Sequence, residues 1–67
     1  MQIDSAAIRS IMIERQLGVA ELGKMAGLQE TTISRITRKN NQKVTFKTVG
    51  KLSRALNLDY KEFTKEI

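Results

Sequence analysis

The 67-residue sequence predicts a small all-α fold of five short helices, and three observations predict it. Proline is absent while Leu, Ile, Lys, Ala and Glu are abundant, a composition of strong helix formers. Apolar residues recur three and four positions apart through most of the chain. Gly, Asn, Thr and Asp then fall between those periodic stretches, where helices start and stop. No repeat, low-complexity run or linker divides the chain, so residues 1–67 read as one domain. A chain this short buries a modest share of its surface and depends on every core residue.

The first helix is expected from about Ser5 to Gln16, capped by Asp4 or Ser5, with Ile8, Ile11 and Met12 on one face and Ile13 outside it. The second spans about Val19 to Met25, between Gly18 and Gly27, with Leu22 and Ala26 inward. The third spans about Glu30 to Arg38 and buries Ile33 and Ile36. A polar stretch from Lys39 to Thr45 follows, in which Asn40-Asn41 favours a turn. Helix four runs from about Phe46 to Leu56, capped by Thr45, with Phe46, Val49, Leu52 and Leu56 as its buried stripe. Gly50 inside it costs roughly 1 kcal/mol against Ala and is read as a close helix contact. The fifth helix starts at Asp59, with Glu62 three residues on as in a capping box, and buries Phe63. Segments this short are stable only around a shared core. That core is expected to add Leu17, Leu28 and Leu58 to the stripes above, and Met12 and Met25 are read as gap-fillers.

Charge is unevenly distributed. The net +5 resolves into −1 over residues 1–34 and +6 over residues 35–67. Between Arg35 and Arg54 there are seven cations and no acid. Such a run is either a solvated surface or the footprint of an anionic polymer such as nucleic acid. The chain has no Cys and no His, which removes disulfides and the commonest zinc ligands. Seven scattered carboxylates assemble no nucleophile–base pair and no metal site, so neither an enzyme nor a cofactor is expected. No apolar run approaches the ~18 residues of a membrane span, and nothing reads as an export signal. The expectation is a cytoplasmic, nucleoid-associated protein.

The informative stretch is Val19 to Arg38, VAELGKMAGLQETTISRITR. Two short helices meet at a tight turn, Ala26-Gly27-Leu28, where Gly27 suits a left-handed residue just past a helix end. Gly23 and Ala26 are small where the second helix must approach the third. Leu22, Leu28, Ile33 and Ile36 fill the angle between them. That is the pattern of a helix-turn-helix unit.

Taken with Leu17, Ala20-Glu21-Leu22, Thr32 to Ile36 (TISRI), Phe46, Thr48, Leu52 to Leu58 (LSRALNL) and Phe63, this stretch resembles the Cro and phage-repressor type of helix-turn-helix family. These are the lambda-repressor-like DNA-binding domains, and the likeness extends from about Ile8 to Phe63. It implies a five-helix fold whose third helix enters the major groove of double-stranded DNA. Carried over by position, the base-reading residues are Gln29, Glu30, Thr31 and Arg35. Their chemistry fits: Arg35 can pair with guanine O6 and N7, Glu30 can accept from cytosine N4, Gln29 can pair with adenine, and the Thr31 methyl can touch thymine. Thr32, Ser34, Arg38, Lys39, Asn40 and Lys43 are the phosphate-binding candidates.

The chain departs from the family pattern in several places, among them a turn after the third helix that lacks the usual Gly and is about one residue longer. Val19, after Gly18, stands where a phosphate-binding Gln is frequent, and Met12 and Thr37 replace a frequent first-helix Arg and its Glu partner. The function implied is a sequence-specific transcriptional regulator, a Cro-like repressor, acting as a homodimer on a palindromic operator. Tyr60, Phe63 and Ile67 offer apolar area for the dimer interface. Gly18, Val19 and Glu30 leave open a rival reading, a protein-interaction module such as an antitoxin or anti-repressor.

Overall fold

The computed structural model describes residues 1–38 and 42–65. In chain order it holds β1 (Gln2–Ile3), α1 (Ser5–Glu14), α2 (Val19–Ala26), α3 (Glu30–Arg38), β2 (Gln42–Lys43), α4 (Phe46–Leu56), a 3-10 turn (Tyr60–Glu62) and β3 (Thr64–Lys65). The fold is predominantly helical, with four α-helices rather than five among the described residues.

Local chemistry starts and stops the helices. Asp4 caps α1 by accepting from the Ala7 amide at 3.2 Å, and Thr45 caps α4 by accepting from the Thr48 amide at 3.2 Å. The first helix ends two residues earlier than expected because Gln16 turns left-handed, with φ 56°. Asn57 ends α4 in the same way at φ 55°. The third left-handed residue among those described is Gly27, at φ 69°.

The fifth helix is corrected to a single 3-10 turn. Asp59 does cap it, accepting from the Lys61 amide at 2.9 Å, but the chain then straightens. Extension lets Thr64–Lys65 pair antiparallel with β1, which pairs on its other edge with β2, giving the order β2-β1-β3. Gln2 lies opposite Lys43 on one side and Lys65 on the other. The Asp4 amide donates to the Phe63 carbonyl at 2.9 Å and so locks the C-terminal turn to the N-terminal strand.

The core comprises Ile3, Ile8, Met12, Leu22, Ala26, Ile33, Ile36, Val49, Leu52, Leu56 and Phe63. Ile3 is fully buried and was not foreseen; a two-residue strand shows no periodicity to mark it. Ile11, Leu17, Leu28 and Leu58 are half-buried against this core rather than inside it. Two expected core residues are corrected outright. Phe46 is 80% exposed, because as the first residue of α4 it lies to one side of the Val49, Leu52 and Leu56 stripe. Met25 is half-exposed at the end of α2 and fills no gap.

Gly50 is corrected as well. A Cβ there would meet nothing within 4 Å, so no helix approaches it. Gly50→Ala is therefore expected to stabilise the fold by about 0.4–1 kcal/mol, since only the unfolded chain loses freedom. Thermal unfolding should show a midpoint a few degrees higher. A lowered midpoint would mean that something does pack at this position.

Candidate nucleic-acid interface

The interface candidate is built on α2, the turn after it, and α3. Gly27 takes the left-handed conformation, and the Leu28 amide donates to the Gly23 carbonyl at 2.8 Å. This tight closure explains Gly23: a Cβ there would lie 2.8 Å from the Leu28 carbonyl oxygen. The small residue is a condition of the turn. Leu22, Ala26, Ile33 and Ile36 then fill the space under the two helices.

α3 buries Ile33, Ile36 and Thr37 and turns its opposite face to solvent. At 3.6 residues per turn, Thr31, Arg35 and Arg38 form one outward row, and all three are exposed. Gln29 and Glu30 stand exposed at the N-terminal end of that row. All four residues predicted to read bases thus lie on open surface at one end and along one face of α3. Thr32 and Ser34 are half-buried on its flanks. Ser34 spends its carbonyl locally, accepting from the Thr37 hydroxyl at 2.9 Å and from Arg38 Nε at 3.4 Å.

Gln29, Glu30 and Thr31 line a shallow depression together with Ala20 and Lys24 of α2. Lys24 is exposed, and it was not foreseen as part of this surface. Its only sequence signal is its spacing: it lies one turn after Ala20, away from the buried Leu22 and Ala26.

The flanking cations divide. Lys43 is exposed on β2, held by its pairing with Gln2, so the small sheet decides where it stands. Lys47 is exposed in the first turn of α4. The helix dipole disfavours a cation at that end, whereas an anion there would meet Lys47 and the first amides of the helix. Lys39 and Asn40 lie outside the described residues. At the start of α2, Gly18 offers no side-chain cap, and its amide donates to Glu21 Oε1 at 2.9 Å. Val19 beside it is half-buried and has no group for a phosphate.

The expected dimer surface needs correction. Phe63 is 0% exposed, sealed into the core by the β3 pairing, so it has no area to offer a partner. Tyr60 is half-buried, and Ile67 lies outside the described residues. Among the described residues no group of three or more His, Cys, Asp or Glu could hold a metal ion. Nor, among the described residues, is any helix long and apolar enough to cross a membrane.

Two short helices joined by a glycine turn, the second with an exposed polar face, form a helix-turn-helix unit of the DNA-binding class. The chain belongs to the Cro/C1-type HTH DNA-binding domain family, whose family model matches residues 7–65. No curated protein and no solved structure matches the chain significantly. Membership makes it a DNA-binding protein of the kind that regulates transcription; the family is defined by binding rather than catalysis.

Proposed function

We propose that the protein is a sequence-specific transcriptional repressor that places α3 in the major groove of a palindromic operator. The observation that carries this reading is the exposed row Thr31, Arg35 and Arg38, with Gln29 and Glu30 at its head. A protruding helix face with two guanidinium groups, an amide, a carboxylate and a threonine's hydroxyl and methyl has the donors, acceptors and apolar contact that base edges require. Lys43 and Arg38 neutralise backbone phosphates on either side and set the register.

One such helix reads few base pairs, so two copies act together on half-sites about one helical turn apart, ~34 Å. Their contact uses Tyr60 together with Met1 and Phe46, which border one open groove beside Gly50. The bases of the palindrome, rather than this small contact, supply most of the specificity.

Selection from a random duplex pool at ~150 mM salt tests the reading, because purely electrostatic binding is suppressed there. A palindromic motif is the expected recovery. Recovery of no motif would overturn sequence-specific recognition. On the selected duplex, Lys43→Ala should weaken cognate and random DNA alike and lower the salt slope by about one. An unchanged slope would remove Lys43 from the phosphate contacts.

A second reading, a module that grips another protein, draws on Ile13 and Phe46, which are 75% and 80% exposed. It requires tight protein binding that is indifferent to salt, where the DNA reading requires steep loss with salt.

A further inference from the structure

The last four carbonyls of an α-helix have no partner within the helix and must find one elsewhere. In α3 two of these carbonyls are met by side chains of α1. The Ser5 hydroxyl, fully buried, donates to the Ile36 carbonyl at 2.7 Å. One turn along α1, Arg9 Nη1 donates to the Thr37 carbonyl at 2.5 Å. Thr37 is only 9% exposed, and its own hydroxyl donates to the Ser34 carbonyl at 2.9 Å.

Met12 and Thr37 stand where the family that the sequence resembles frequently carries an Arg and its Glu partner. Both are buried, and they line one groove together with Arg9. The cross-link between α1 and α3 therefore runs from a side chain to a backbone carbonyl, and its charged member sits at the negative end of the α3 dipole. A hydrogen bond from a guanidinium to a carbonyl depends on where the helix end lies, so it constrains position as well as energy.

We propose that Ser5 and Arg9 are positioning residues for DNA reading: they clasp the C-terminal turn of α3 and thereby set the angle at which its outward row meets the base edges. This rests on α3 being the reading helix. Arg9 acts through Thr37 and touches no DNA. Arg35 and Arg38 stand on the same final turns, so a small rotation of that end displaces their guanidinium groups. Hydrogen bonds to base edges tolerate little displacement, whereas phosphate attraction varies slowly with distance. Discrimination should suffer while general DNA affinity does not.

The test compares the whole chain with Arg9→Met, which keeps the apolar stem and deletes the donors, and with Arg9→Lys, which restores one donor. Binding is measured on the selected duplex and on a random duplex across a salt series. Arg9→Met should lose roughly tenfold on the selected duplex. It should keep its random-duplex affinity and salt slope, and Arg9→Lys should recover part of the lost ratio. Amide hydrogen exchange, read without DNA, should quicken at Ile36 to Arg38 in Arg9→Met and stay unchanged in α2. Equal loss on both duplexes with a slope lowered by about one would make Arg9 a phosphate contact and overturn the proposal. So would an unchanged ratio. Failure of the wild-type chain to select any sequence would instead sink the reading of α3 itself, and it would show before any variant was made.

Discussion

Phe63→Ala is expected to destabilise the fold by about 3–5 kcal/mol, the usual cost of emptying a buried aromatic site. A chain of this size has a total stability of only about 3–10 kcal/mol, so the loss is about a third or more of the whole. The magnitude follows from position. Phe63 is fully buried, and its carbonyl accepts the Asp4 amide that ties β3 to β1. Collapse of the site would have to move the strand pairing, which resists relaxation and keeps the cavity. Urea unfolding followed by far-ultraviolet circular dichroism measures the loss directly. A variant within about 1 kcal/mol of the parent would show that the C-terminal turn contributes little to the core, against the burial seen here. Phe63→Leu, which retains most of the volume, should lose far less.

The second large effect is on binding. Arg35→Ala is expected to cost about 1–3 kcal/mol on the selected duplex and to relax discrimination at one base pair. Arg35 is exposed and lies four residues beyond Thr31 on the outward row. Its removal opens no cavity, so the unfolding midpoint should barely move. That separates it from Phe63, whose loss acts through folding. Titration of selected, singly mismatched and random duplexes gives the answer. Equal weakening on all three would reduce Arg35 to a phosphate contact.

Much of the recognition unit was legible in the residue order. Gly27 is left-handed because the turn after α2 demands it, and Gly23 is small because the Leu28 carbonyl passes where its Cβ would be. Ile33 and Ile36, three apart, announce which face of α3 is buried and therefore that Arg35 faces out. These signals are local: each is decided within one helix or one turn. Thr45 as cap of α4 was legible for the same reason, whereas the order left Asp4 and Ser5 both open as cap of α1 and the fold selects Asp4.

The errors share a different origin. Phe46 was assigned to the core by its apolar character, yet at the start of α4 it lies to one side of the stripe that Val49, Leu52 and Leu56 bury. Gly50 was read as a close approach, though an exposed helix face accepts glycine without needing it. Asp59 and Glu62 do mark the start of a helical turn, but nothing within that segment reveals that Thr64–Lys65 will pair with Gln2–Ile3. The α1 donors that reach α3 were equally hidden: Ser5 and Ile36 are 31 residues apart, and Arg9 and Thr37 are 28 apart.

The residue order by itself determined the four α-helices, the glycine turn and the outward face of α3, because helical period, capping and left-handed geometry are settled by near neighbours. Only the tertiary structure decided the β2-β1-β3 sheet, the burial of Ile3 and Phe63, the placing of Lys43, and the clasp of Ser5 and Arg9 on α3. Two-residue strands and side-chain bonds to distant carbonyls carry no periodic signature. They form because the shared core brings the chain ends together and leaves those backbone groups with partners to find.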